Sequence, residues 1–173
     1  WVWLSQMSLV IGASWCIQTM QLPVNHLLYR LLTLCGLPTA WEISVGAVVF
    51  RVLASGEREY LLLQYPSGHF DFAKGHVEAG ETEVMTLRRE TEEETGLTNL
   101  QILERRMSIR YFYIAKGNEA VKRKEAGRGL WIFKEVHFYP AKVDLDQEVR
   151  LSHEHTGFVW LPYAAAVTKA TFD

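Results

Sequence analysis

From Trp1 to Tyr29 the chain carries no Asp, Glu, Lys or Arg, and apolar residues crowd together: Trp1, Val2, Trp3, Leu4, Leu9, Val10, Ile11, Trp15 and Ile17. A second apolar run, Leu27 to Leu37, holds one charge, Arg30. From residue 42 the pattern changes to shorter runs divided by turn residues. Glu42 to Leu53 is β-branched and apolar and predicts a central strand. Ser55-Gly56-Glu57-Arg58 reads as a turn, and Glu59 to Pro66 as a second strand closed by Pro66 and Gly68. His69 to Ala73 alternates aromatics with other residues, a short strand leading into a Lys74-Gly75 loop. A helix is expected from about Thr82 to Thr95, with Val84, Leu87 and Thr91 on its inward stripe and Gly96 as its left-handed terminator. Further strands are expected around Ile109–Ile114, over Leu130–Phe138 and over Gly157–Leu161, and Pro162 opens a C-terminal helix. Strands mixed with two helices predict an α/β (α+β) fold.

At 173 residues and 49% hydrophobic content, the chain has material for one domain with a sizeable core. The division expected is an N-terminal apolar leader of uncertain order, residues 1–41, and a folded domain, residues 42–173. Ser5, Gln6, Ser8, Ser14, Gln18, Thr19 and Gln21 interrupt the first run, so it matches a bilayer-spanning helix poorly, and no stable membrane span is expected. It lacks the basic start of a secretory signal, and the second run has too few Arg for a transit peptide. A cytoplasmic location is expected, with a targeting or membrane role of the leader as the alternative. Trp1 in first place reads as processing or a fragment, with Met20 as an alternative start. Cys16 and Cys35 have no metal-type spacing and read as ordinary small apolar residues.

Charge sharpens the picture. The formal net charge of -2 argues against bulk nucleic-acid binding, and none is expected. Residues 81–94 carry six Glu against two Arg, whereas residues 116–128 carry five Lys or Arg against two Glu. An acidic helix and a separate basic segment suit a ligand that is itself a metal-bound polyanion. The other reading of the basic run is a solvated loop.

Glu90, Glu93 and Glu94 fall at i, i+3 and i+4, so three carboxylates share one helix face. Like charges that close repel unless a cation sits among them, and a hard divalent metal with oxygen ligands explains the arrangement. Such an ion shares its shell with phosphates, so the face reads as a phosphate-chemistry site.

The stretch from Gly75 to Leu97 resembles the signature of the Nudix hydrolases, G-x5-E-x7-R-E-U-x-E-E-x-G-U, with U an apolar residue. Gly75, Glu81, Arg89, Glu90, Glu93, Glu94, Gly96 and Leu97 are in register. Thr91 departs, standing where an aliphatic is usual; its hydroxyl is expected to bond back to a backbone carbonyl. The resemblance implies a mixed β-sheet sandwiched between α-helices. It also implies Mg2+ (with Mn2+ as a substitute) held by Glu90, Glu93, Glu94 and the Gly75 carbonyl, with Arg89 orienting the carboxylates by pairing with Glu81. Arg150 to His155 followed by Val159-Trp160-Leu161, together with Lys74-Gly75-His76-Val77-Glu78, is similar to the diadenosine tetraphosphate hydrolase branch of that family. By that likeness Glu154 is a further metal ligand from outside the motif and a candidate to accept the proton of the attacking water, and which glutamate is the base stays open. Phe72-Ala73 stands where those enzymes usually carry prolines, which implies a less rigid loop. His153 and His155 read as core or surface histidines.

Substrate contacts are expected from His69, Lys74 and Lys116 on the phosphates, with Lys122, Arg123 and Lys124 as further cations, and from Tyr113 stacking on a base. Core packing is the other reading for Tyr111, Phe112 and Tyr113. The function implied is hydrolysis of a dinucleoside polyphosphate, diadenosine tetraphosphate to ATP and AMP, by a monomer acting on a small nucleotide. The alternatives are another Nudix pyrophosphohydrolase, acting on a nucleotide sugar, modified nucleoside triphosphate, capped RNA or inositol pyrophosphate, and a nucleotide-binding module without catalysis.

Overall fold

The computed structural model describes residues 26–170. The expectations for Cys16 and for the first apolar run lie outside these residues. Helix α1 spans His26–Leu34, and strand β1, Thr39–Val52, begins three residues before the expected start. There follow β2 (Arg58–Gln64), β3 (Phe70–Asp71), β4 (Ala73–His76), α2 (Glu83–Thr95), β5 (Gln101–Ile102), β6 (Met107–Ile114), α3 (Gly117–Glu125), β7 (Trp131–Lys142), β8 (Gly157–Pro162) and α4 (Tyr163–Lys169). The strands form an eight-stranded sheet, so the α/β expectation holds. No helix among the described residues is long and apolar enough to cross a membrane.

The chain divides into two compact units. Of the described residues, the first unit contains 45–106 and 138–170. Here β2 pairs antiparallel with β1, β3 and β8, and β5 pairs antiparallel with β7. Val45, Val49, Leu61, Leu63, Leu87 and Leu97 are almost fully excluded from water and form its apolar core. Helix α2 packs on β4, and α4 packs on β2 and β8. Gly46 lets β4 come close to β1: a Cβ there would stand 2.5 Å from the Ala73 carbonyl oxygen and 2.7 Å from the Lys74 Cβ. This close approach carries Lys74 and Gly75 to the helix that bears the glutamates.

The second unit contains 26–44 and 107–137 of the described residues. Its core is aromatic. The Phe133 ring meets Tyr29 edge-on at 5.5 Å, lies parallel to Trp41 at 6.2 Å and meets Phe112 at 5.1 Å. The basic segment is a helix, α3, and not a loop. Arg123, in its last turn, is buried and donates to Glu119 at 2.8 Å, to the Gly129 carbonyl at 3.2 Å and to Glu42 at 2.7 Å. That role explains the helix: the Glu119–Arg123 pair at i, i+4 ties its turns together, and Arg123 ties it to β1. Arg123 is therefore structural here and is not spare for a phosphate. Cys35 is a free, exposed thiol, contrary to the apolar packing expected of it.

Helix α2 starts at Thr82, whose hydroxyl accepts the Met85 N–H at 3.3 Å, and ends at Gly96 with φ +71°. Its inward face is Thr86, Leu87, Thr91, Glu94 and Thr95. Val84, expected inward, is exposed, because the covered face of the helix begins only at Thr86. The Thr91 hydroxyl is buried with no hydrogen-bond partner, so the expected bond back to a carbonyl does not form. Instead the Thr91 carbonyl already accepts the Thr95 hydroxyl at 2.5 Å.

Candidate active site

The acidic face of α2 is organised by one arginine. Arg89 grips Glu81 with two parallel bonds, Nε to Oε1 at 2.7 Å and Nη2 to Oε2 at 2.9 Å. Its Nη1 donates to Glu90 Oε1 at 2.6 Å and to Glu93 Oε2 at 3.2 Å, and Nη2 also donates to the His76 carbonyl at 3.0 Å. Five bonds from one guanidinium thus fix three carboxylates and the strand before the helix. Hydrogen bonds from Arg89 and from the Thr86 hydroxyl pull the Glu81 carboxyl down to about 2. Glu81 in turn accepts the Glu78 N–H at 3.1 Å, closing the loop that enters the helix.

Gly75 is required by contact. A Cβ at this position would overlap the Glu90 carboxylate, so the backbone of residue 75 and that carboxylate share one small space. Any side chain there would evict Glu90. Burial raises the Glu90 carboxyl above its ordinary value, with Arg89 opposing. Glu94, one turn on, is buried and receives one hydrogen bond among the described residues, from the Lys74 main-chain N–H to Oε2 at 3.1 Å. Burial lifts its carboxyl to about 8 despite the opposing charge of Lys74, and the charges of Glu90 and Glu154 add to the rise. Glu93 is exposed.

Glu154 arrives on the segment that precedes β8. Arg150 N–H donates to the Thr95 carbonyl at 2.7 Å and Ser152 N–H to the Glu94 carbonyl at 3.2 Å, so this segment is pinned to the last turn of α2. Glu154 is exposed, and its N–H donates to the Ser152 hydroxyl at 3.3 Å. The neighbouring His155 is buried; Ser152 Oγ lies 3.2 Å from its Nδ1, while Nε2 has no partner. Burial pulls this imidazole below its usual value.

Lys74 and His69 stand in the same unit. The Lys74 ammonium pairs with Asp71 Oδ2 at 2.5 Å and donates to the Tyr65 hydroxyl at 3.2 Å. Burial works against its charge, but Asp71 and Tyr65 outweigh that and hold it above the usual lysine range. The His69 ring stacks on Tyr65 at 4.4 Å, and His155 meets the other ring edge-on at 4.6 Å. Sequence reasoning missed Tyr65 and Asp71. An acid three residues before a lysine is too common a pattern to mark either.

Tyr113 and Lys116 belong to the second unit. The Tyr113 hydroxyl donates to Glu119 at 3.1 Å, and its ring lies 6.1 Å from Tyr111 at 29°. Burial and the charge of Glu119 push this phenol up to about 12. Lys116 is exposed at the N-terminus of α3.

Comparison with known proteins agrees with the motif. The NUDIX domain family matches residues 43–173. An asymmetrical bis(5'-nucleosyl)-tetraphosphatase of Caenorhabditis elegans is 35% identical over 132 residues, 75% of this chain and 85% of the relative. The Rattus norvegicus protein of the same name is 38% identical over 121 residues, 66% and 71% of the two chains. The crystal structure of a C. elegans Ap4A hydrolase binary complex superposes with a TM-score of 0.60 at 34% identity, covering 76% of this chain and 87% of that one. An E. coli dihydroneopterin triphosphate pyrophosphohydrolase, at 18% identity and a TM-score of 0.55, shares the fold. A family match over most of the described chain, added to the carboxylate helix and its arginine, settles the affiliation: the chain belongs to the Nudix family of hydrolases.

Proposed function

We propose that this protein hydrolyses dinucleoside polyphosphates, converting diadenosine tetraphosphate to ATP and AMP, with Mg2+ at Glu90, Glu93, Glu94, Glu154 and the Gly75 carbonyl. The single observation behind the metal is Glu94. A buried carboxylate with one main-chain hydrogen bond and no paired side-chain cation is poorly compensated, and a divalent ion is the natural partner for it. The donor atoms are hard oxygens of the kind such an ion takes, and Gly75 leaves room for the Glu90 carboxylate against the backbone, but among the described residues the acidic side chains are not gathered into a three-ligand cluster as they stand. The support for the substrate is the likeness to the tetraphosphatases of Caenorhabditis elegans and Rattus norvegicus.

When bound, the ion would neutralise phosphate charge and lower the pKa of the attacking water. The chain does the rest. Arg89 holds Glu90 and Glu93 in place through Nη1, so the carboxylates keep their positions as substrate arrives. Glu94 or Glu154 accepts the proton of the water that attacks phosphorus. Lys74 and His69 contact the phosphate chain; the roles proposed for Lys116, a further phosphate cation, and for Tyr113, a face for the adenine, rest on the resemblance alone.

The test is incubation with a panel of dinucleoside polyphosphates, nucleotide sugars, modified nucleoside triphosphates and inositol pyrophosphates in heavy-oxygen water, with and without Mg2+. ATP and AMP, with one heavy oxygen in one of the two, are expected from diadenosine tetraphosphate when Mg2+ is present. Preferred cleavage of another substrate would move the chain to a different branch of the family, and no cleavage at all would make it a binding module.

A further inference from the structure

Asp71 is 4% exposed and uses both of its oxygens. Oδ1 accepts the Phe72 N–H at 2.8 Å, and Oδ2 holds the Lys74 ammonium at 2.5 Å. One carboxylate therefore ties down the start and the end of a three-residue segment, Phe72-Ala73-Lys74. The last residue of that segment gives its main-chain N–H to Glu94 Oε2 at 3.1 Å, the one hydrogen bond that the Glu94 side chain receives among the described residues. The ammonium is fixed a second time by the Tyr65 hydroxyl at 3.2 Å, and its charge lies 5.1 Å from the centre of the Tyr65 ring. Tyr65 is itself braced by the stacked His69 ring and the edge of His155.

Phe72 and Ala73 have no ring that fixes φ on the approach to Lys74-Gly75. The segment here has ordinary backbone freedom, and a side chain supplies the restraint that ring closure would have given. We propose that Asp71 is a positioning residue for the hydrolytic site: by clamping Phe72 N–H and the Lys74 ammonium it sets the Lys74 amide against Glu94. Lys74 then serves the site through its main chain as well as its side chain, and Asp71 governs the main-chain part. The inference rests on the hydrolytic reading of the Glu90–Glu94 face.

Asp71→Ala and Asp71→Asn separate the contacts. Alanine removes both, while asparagine keeps an acceptor for Phe72 N–H and loses the charge that holds Lys74. A small misplacement of a catalytic group slows chemistry more than binding, so Asp71→Ala should lower kcat at least about tenfold with KM within about twofold, and Asp71→Asn should fall about threefold. The Lys74 amide proton resonance in the full-length protein reports the geometry directly. It should move upfield and exchange faster with solvent in the alanine variant, and less so in the asparagine variant. Wild-type kcat in folded Asp71→Ala, or a rise in KM alone, would overturn the proposal, since the latter puts Asp71 at the substrate through the ammonium. Should the alanine variant fail to fold, the asparagine variant decides: an unshifted Lys74 amide with unchanged kcat overturns it. A wild-type chain that cleaves nothing defeats the hydrolytic reading, and the Lys74 amide in the two variants still decides whether Asp71 positions it.

Discussion

Glu42 and Glu94 are buried to the same extent, 7% and 6% exposed, and the protein treats them in opposite ways. Glu42 is surrounded by cations: Arg123 and Arg128 each donate to Oε1 at 2.7 Å, and Lys134 reaches Oε2 at 3.5 Å. Glu94 receives one amide at 3.1 Å. Taking a carboxylate out of water is costly, and pairing it with hydrogen-bonded cations offsets the cost. Glu42 is offset internally and its work is to hold α3 to β1. On the proposed reading, a bound divalent ion offsets Glu94. A buried acid whose compensation is missing marks a site, whereas a buried acid that is over-supplied marks a joint.

The contrast is broken most sharply by neutralising each acid. Glu94→Gln should lower turnover by a factor on the order of a thousand or more while circular dichroism and melting stay native, because the amide matches the protonated acid in shape. Wild-type turnover in that variant would remove Glu94 from the chemistry. Glu42→Gln should do the reverse. It takes away the buried charge that Arg123 Nη2 faces and leaves that guanidinium to Glu119 and the Gly129 carbonyl, and a loss of about 3 kcal/mol in urea unfolding is expected. A change under about 1 kcal/mol would show that the cations are compensated elsewhere.

Acidity gives a second handle on the same pair. The Glu94 carboxyl sits at about 8 in the fold against an ordinary 4.5. Between those values the folded state holds a proton that the unfolded chain has released. Metal-free stability should therefore be intact at pH 4.5 and decline as the pH rises to 8, by up to a few kcal/mol. Glu94→Gln should flatten that decline, and saturating Mg2+ should remove it; calorimetry at several pH values, with and without the ion, reads both. Glu81 acts in a different window. Its carboxyl is held down at about 2, so its contribution is lost as the pH falls from 4.5 toward 2.

The smallest effect is expected at Thr91. Its hydroxyl is buried and unpartnered, and valine has nearly the same shape. Thr91→Val should stabilise the fold by about 1 kcal/mol, seen as a higher urea midpoint with an unchanged slope. A destabilised variant would mean that an ordered water satisfies the hydroxyl.

Much of this is legible in the sequence because it depends on local spacing. The i, i+3, i+4 glutamates, the arginine beside them, the Thr82 start and the Gly96 stop are short-range facts, and helix geometry converts them directly into a shared face. The strand runs are visible for the same reason. What escapes is set by partners distant in sequence. Arg123 is drawn inward by Glu42, 81 residues away, and that contact turns an apparent solvated loop into a docked helix. A Cβ at residue 75 would displace the Glu90 carboxylate, which only the folded chain brings to it. Asp71 gains its meaning from its contacts with Phe72 and Lys74 and from the Lys74 amide that faces Glu94. The inward stripe of α2 goes astray at Val84 because tertiary packing, not periodicity, decides which end of a short helix is covered.

Arg89 has one more consequence. With its guanidinium bridging Glu90 and Glu93, the fold carries its own provisional counterion. Carboxylates that would otherwise push the helix face apart are held together before any ion is captured, so maturation can proceed in two stages, chain first and ion second. On the proposed metal reading, loading then adds an ion to a ready-made scaffold, and the chain without the ion would be intact and dormant in place of misfolded.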